Sequence, residues 1–394
     1  MAASGGSSGG CTWPDLQPEM LGVVLSRLPS HGDRVRFAAV CRPWRSSAQL
    51  LRPLPPLLPW LALCDGTFLS LPDGAVHRLP VADDGVSIRA STGSRLFLVH
   101  GDDECSLTNP SPVTTTPVPE AAGWFRENPT VLKVLMSDHL VAALVESKGI
   151  YGSTTTKVII STRGQPWDTT RCSTTEWAAP EDSFAIDIAL FKGKLCVLLD
   201  TVLLDTGDED EGYGQRHELR VLDDGHEQTT IQGTPIARFE DDFDPYETDA
   251  YGQRHYLVVS GDRLLMVQRW INLPPIFPID SGIEKRTRLF KVFEATGLSS
   301  GCGQWTEVDR LTGRALFVSE GCSESLPAGG QSSGVGVRED CIYFLNDETC
   351  ENPFPDSGAY NMRDQTVAPL LPATVAVPAA GYGPWSPTWL FPET

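Results

Sequence analysis

From residue 60 onward the chain repeats one pattern: a short apolar run, a Gly, Asp or Pro turn signal, then another short run. The runs lie at Arg95–His100, Val131–Leu135, Leu140–Glu146, Lys157–Ser161, Lys194–Leu199, Tyr256–Ser260, Arg263–Arg269, Arg288–Glu294, Ala315–Ser319 and Cys341–Leu345. Runs this short, bounded by turn residues, predict strands and an all-β domain. Lys192-Gly193-Lys194, Ser260-Gly261-Asp262 and Thr312-Gly313-Arg314 stand where hairpin turns belong, so antiparallel pairs are expected. Roughly 330 residues of such strands fit a kelch-like β-propeller, whose four-stranded blades repeat radially and leave no long edge exposed. YGQRH occurs at Tyr213–His217 and again at Tyr251–His255, 38 residues apart. That offset is close to a propeller repeat of about 40 to 50 residues; with no third copy, a local duplication fits equally.

The first fifty residues follow another rule. Leu21, Val24, Leu25 and Leu28 recur at i, i+3, i+4 and i+7, which puts four aliphatic side chains on one helical face. A second helix is expected from Asp33 as N-cap, carrying Val35, Phe37, Ala38, Val40 and Cys41 ahead of Pro43 and Trp44. Pro53, Pro55, Pro56 and Pro59 then exclude a helix and favour a stiff connection. The expected organisation is a disordered tail at 1–12, a helical module at 13–50, a Pro-rich linker at 51–59 and the β domain at 60–394.

Charge separates the two parts. Residues 1–52 carry +3, and residues 53–394 carry −23. So acidic a surface repels phosphate backbones and anionic lipid, which argues against nucleic-acid or membrane partners. The uncharged run Gln365–Pro392 contains six prolines and makes a poor membrane helix. Ten cysteines without a CxxC pair, and no apolar leader, predict reduced thiols in the cytoplasm, the nucleus or both. No histidine stands at HxxxH or HExxH spacing, and no GxSxG, GxxxxGK[ST] or GxGxxG motif is present in a fitting context. No cofactor, metal site or catalytic residue is expected.

The stretch Trp13–Leu50 resembles the F-box: LQPEML at Leu16–Leu21 stands for its opening, an amphipathic helix follows, and VCRPWR at Val40–Arg45 closes it. Gln17 replaces the usual first proline, and Pro18 follows at once. The resemblance implies docking on a Skp-type adaptor, and through it on cullin and RING subunits, by Leu16, Pro18, Leu21, Val24, Leu25, Leu28, Val40 and Trp44. Val40 and Trp44 are expected to pack internally as well. The rest is similar to the domain of unknown function 295, the KIB-type β-propeller-like domain that follows an F-box in plant proteins. That likeness rests on PWLALCDGTFLSLP, FAIDIALFKGKLCVLL, SGDRLLMVQRW with TRLFKVFEA, and WTEVDRLTGRALFVSEGCSESLPAG followed by CIYFLND.

Together these resemblances imply a substrate-recognition subunit of a Skp-cullin-F-box ubiquitin ligase whose propeller binds an unidentified protein. The alternative is a non-degradative binding scaffold with an F-box-like module. A propeller enzyme would instead show perturbed carboxylates or histidines in the central channel. Two acidic tracts flank the YGQRH copies, with Asp208, Glu209, Asp210 and Glu211 in one and Asp241, Asp242 and Asp244 in the other. Solvated loops are the plain reading of both, and binding of Ca²⁺ or of a basic target segment is the functional one, although neither tract has EF-hand spacing.

Overall fold

Three short helices open the part of the chain that the computed structural model describes. Described are residues 16–28, 30–50, 56–63, 66–71, 74–78, 86–101, 104–110, 113–119, 121, 124, 129–148, 154–164, 168–180, 182–203, 214–223, 226–232, 251–272, 286–298, 303–329, 336–347, 356–371 and 387–392. Helix α1 (Pro18–Ser26) starts on a proline, whose fixed φ suits the first helical turn and whose missing N–H would have been unsatisfied there anyway. Helix α2 (His31–Ala39) is capped three residues earlier than expected: Ser30 is its cap, with Oγ accepting from the Asp33 amide at 3.1 Å. Asp33 falls inside the first turn, where a negative charge suits the helix N-terminus. Helix α3 (Arg42–Leu50) follows, with Pro43 in its first turn.

The strands form six sheets arranged as blades. Blade 1 holds β1 (Trp60–Ala62), β2 (Thr67–Leu69) and β3 (Val76–Arg78). Blade 2 holds β4 (Ser87–Thr92), β5 (Arg95–Val99), β6 (Cys105–Pro110) and β7 (Val113–Pro117). Blade 3 holds β8 (Thr130–Met136), β9 (Leu140–Lys148), β10 (Thr154–Gly164) and β11 (Asp168–Ala178). Blade 4 holds β12 (Ser183–Phe191), β13 (Lys194–Leu203), β14 (Gly214–Asp223) and β15 (His226–Gln232). Blade 5 holds β16 (Tyr251–Ser260), β17 (Arg263–Asn272), β18 (Arg286–Thr296) and β19 (Gln304–Val308). Blade 6 holds β20 (Arg314–Ser319), β21 (Cys322–Pro327), β22 (Cys341–Phe344), β23 (Gly358–Asn361) and β24 (Thr366–Pro369). The last strand, β25 (Thr388–Leu390), returns to blade 1 and pairs with β1, Leu61 opposite Trp389.

Around the axis the innermost strands are β25, β4, β8, β12, β16 and β21, each beside the next. A separate apolar cluster fills each of the six gaps between neighbouring blades. This explains why the central strands read as unbroken apolar runs. Side chains alternate across a strand, and in β17 Leu264 and Met266 pack toward blade 4 while Leu265 and Val267 pack toward blade 6. Both faces are dry, so both must be apolar.

Blade 6 departs from the expected pattern in two ways. It has five strands, and β20 pairs antiparallel with β21 but parallel with β22. The chain enters this blade at the second position, turns inward for β21, and must cross back outward before it can add β22. The turn at Thr312-Gly313-Arg314 is accordingly no hairpin. It carries the chain from blade 5 into blade 6, with Thr312 and Gly313 at φ of 54° and 74°. The Leu311 amide donates to Asp340 there at 2.7 Å.

The YGQRH copies do not mark a blade period. The first ends in β14, the third strand of its blade, and the second opens β16, the innermost strand of the next.

Among the described residues no helix is long and apolar enough to cross a membrane.

Candidate functional site

Two regions carry the residues that bear on function, the helical module and the mouth of the propeller. In the module, Leu21 and Leu25 are fully buried against Phe37, with Leu16, Leu28, Trp44 and Ala48 packed around them. Phe37 and Trp44 meet with ring centroids 4.5 Å apart. Leu21 and Leu25 therefore hold the helices together, while Pro18, Val24 and Val40 face solvent. Val40 does not pack internally: it is 60% exposed just beyond α2. Met20 and Val23 join Val24 in an exposed apolar row on α1, with Leu50 exposed at the end of α3. The i, i+3, i+4 spacing of Met20, Val23 and Val24 was the signal for that row. Trp13 and the acidic residues Asp208 to Glu211, Asp241, Asp242 and Asp244 lie outside the described residues.

At the propeller, the first halves of β8, β12 and β16 surround a cavity of about 290 Å³ close to the axis. The innermost strands carry an extra residue at the same point in successive blades, Leu132 in β8 and Ile186 in β12, where the register against the second strand shifts. Such bulges re-aim the side chains that follow them. Here the following residues are Lys133 and Asp187, whose side chains meet at 2.7 Å, both almost fully buried. Asp187 also accepts from the Ile188 amide at 2.7 Å and from the Leu257 amide at 2.6 Å, so one carboxylate ties three innermost strands together. Burial pushes the Asp187 carboxyl up, and Lys133 and the two amides oppose that shift.

A second buried knot closes the side toward blade 6. Arg269, 1% exposed, donates to the Leu345 carbonyl at 2.6 Å, to Asp356 at 2.7 Å and to Thr287 at 2.8 Å. The Tyr256 hydroxyl donates to Asp347, and Asp347 accepts from the Glu320 amide at 2.9 Å. Burial pulls the Arg269 guanidinium down, but Tyr256, Asp347 and Asp356 outweigh it and hold the group charged.

Glu146, Asp200 and Glu320 line the cavity together with Arg254. Burial first, and then Asp347, push the Glu320 carboxyl up to about 8 against the pull of Arg254. Burial alone raises Asp200 to about 6. Next to them His217 and His255 lie with ring centroids 3.8 Å apart. Burial drives His217 down to about 4 and His255 well below its ordinary value, with His217 adding to the latter shift. Both imidazoles are neutral at pH 7, as rings in such close contact require.

The region thus contains the perturbed carboxylates and histidines that a propeller enzyme would show. Neither an activated thiol nor a metal set is found among the described residues. Burial lifts the Cys196 and Cys322 thiols to about 12, far from thiolate character at pH 7. No group of three His, Cys, Asp or Glu side chains is placed to hold a metal ion. What remains is a cavity rich in acceptors, suited to receiving a cation.

A family model described as KIB1-4 beta-propeller matches residues 68–363, a span that begins after the helical module. No curated protein matches the chain. Similar solved structures include an S. cerevisiae Dbp5 complex with Nup159 and Gle1, at 10% identity over 77% of this chain and 70% of that one, TM-score 0.30. The N-terminal domain of Nup159 is similar at 11% identity over 77% and 72%, TM-score 0.28. A Synechocystis apocarotenoid oxygenase variant is similar at 10% identity over 72% and 58%, TM-score 0.34, so the chain spans little more than half of that enzyme's length. Similarity at this level says nothing of what the chain binds.

Proposed function

The chain belongs to the KIB1-4 β-propeller family, and on that premise we propose that it is the substrate-recognition subunit of a Skp-cullin-F-box ubiquitin ligase. In this reading residues 13–50 dock on a Skp-type adaptor, and the propeller holds a target protein within reach of a ubiquitin-loaded enzyme. Rate enhancement then comes from tethering, which raises the effective concentration of target lysines to about millimolar, so the chain needs no catalytic residue of its own. The cytoplasm and the nucleus both suit such a subunit.

The observation that carries the reading is the combination of a self-contained helical module with an unpartnered apolar row. Leu21, Leu25 and Phe37 already supply a core, yet Met20, Val23, Val24 and Val40 remain 36 to 60% exposed. Aliphatic residues presented this way on a short helix are suited to anchor in a partner's groove.

Co-purification with a Skp-type adaptor tests it. The full chain is expected to retain the adaptor, whereas a Val23→Asp, Val24→Asp variant loses it while the propeller still melts cooperatively. Adaptor binding that survives this substitution, or that is absent from the folded full chain, leaves the scaffold alternative in place.

A further inference from the structure

Beneath the acidic lining of the propeller cavity lies a second set of groups whose polar atoms have no partner. Asp200 Oδ1 and Gln253 Nε2 belong to the wall itself. Directly behind it, Gln268 is 1% exposed and leaves Oε1 unpartnered. Its amide is aimed at the wall, donating to Gln253 at 2.7 Å and meeting His255 at 3.3 Å. His217, 2% exposed, has neither ring nitrogen partnered. A buried polar atom without a partner is costly, and the two in the wall point to a ligand that brings a donor to Asp200 and an acceptor to Gln253.

Charge narrows the class of ligand. Lys133 is committed to Asp187, and Arg269 to Asp356 and Asp347. Arg254 is the lining cation left to oppose Glu146 and Asp200, and an entering cation draws the proton from Glu320 as well, so the cavity offers acceptors in excess of its own positive charge. At the mouth Phe184 is 41% exposed, offering an aromatic face beside the carboxylates. A planar, donor-rich cation uses both features, through paired hydrogen bonds to carboxylate and stacking on the ring, whereas an ammonium uses only the charge.

We propose that this cavity receives an arginine side chain of the target protein, its guanidinium held by Asp200 and Glu320 and stacked on Phe184. The inference rests on the reading of the propeller as a target receptor, and it names the chemistry by which the target is recognised. The peptide backbone of the same residue supplies the carbonyl that Gln253 Nε2 lacks.

The test is titration of the full-length chain with acetyl-Gly-Arg-Gly-amide and with its lysine and citrulline counterparts, followed by calorimetry. Saturable binding of the arginine peptide is expected, at least tenfold tighter than either counterpart. Glu320→Gln and Asp200→Asn are each expected to weaken it at least tenfold while the chain still melts cooperatively. Should either fail to fold, Phe184→Leu at its exposed position gives the same readout through loss of the preference for arginine over lysine. No saturable arginine binding up to millimolar peptide, equal binding of citrulline, or unchanged affinity in the variants overturns the proposal. Adaptor retention without arginine binding removes this inference alone, and arginine binding without adaptor retention removes the ligase reading alone.

Discussion

His31 of the helical module lies edge-on to Trp60 of the propeller, ring centroids 5.5 Å apart, while His77 stacks on the same indole at 5.0 Å. Trp60 is therefore the hinge pin between the two parts of the chain, and its substitution reads out their coupling. Trp60→Ala is expected to cost about 3–5 kcal/mol, the usual loss for a buried tryptophan, and to free the module. Urea unfolding, with proteolysis between residues 50 and 60 as a second probe, checks both effects.

The same junction is expected to loosen in acid. Burial first, then Arg34 and His77, hold His31 below its ordinary value. A histidine lowered on folding adds stability above its unfolded pKa, and that stability is lost as pH falls through the folded value. Opening of α2, read as hydrogen exchange after correction for the slowing of intrinsic exchange in acid, is expected to rise between pH 7 and pH 5 in the native chain. It should stay flat over that range in His31→Gln.

Breaking the axial pair is expected to be severe. Lys133→Met leaves Asp187 buried without its cation, a loss of about 3–5 kcal/mol, visible as a lower denaturation midpoint. The two amides that Asp187 accepts from blunt the loss but cannot neutralise the charge.

Arg269 does not tolerate lysine. Its fork reaches Leu345, Asp356 and Thr287 at once, and an ammonium cannot span them. Arg269→Lys is expected to lose about 2–4 kcal/mol through unmade buried hydrogen bonds, with blades 5 and 6 losing exchange protection first.

Glu320→Gln is expected to stabilise the chain in base and leave it unchanged in acid. Its folded value of about 8 lies above the ordinary carboxyl value, so the native contribution is complete below about pH 4 and disappears as pH rises toward 8. The gain is at most about 1.4 kcal/mol for each pH unit that separates the folded and unfolded values, less what solvent screens. Melting curves at pH 5 and pH 9 separate the two regimes.

How much of this was legible beforehand follows from burial. The ten apolar runs all became strands, because strands packed between two blades are apolar on both faces. Strands such as β7, with sequence VTTTP and largely exposed, carry no alternation to find. The pairing of Leu61 with Trp389 joins the two ends of the ring, a relation that no local spacing can express. Much the same holds for the cavity, whose lining comes from four blades. The YGQRH copies were visible, but not that their unlike strands bring the His217 and His255 rings into contact.

The return of β25 to blade 1 has a consequence for the newly made chain. Trp389 is wholly buried, and its indole donates to Val318 at 3.1 Å, while Thr388 meets Ser91 at 2.8 Å. One three-residue strand thus clasps blades 6, 1 and 2. During synthesis every other strand of the ring emerges before it, so β1 leaves the ribosome with an open edge and waits. A propeller built this way closes in one late step, and a chain stopped before residue 388 exposes to the cell's folding surveillance the edge that the closed ring hides.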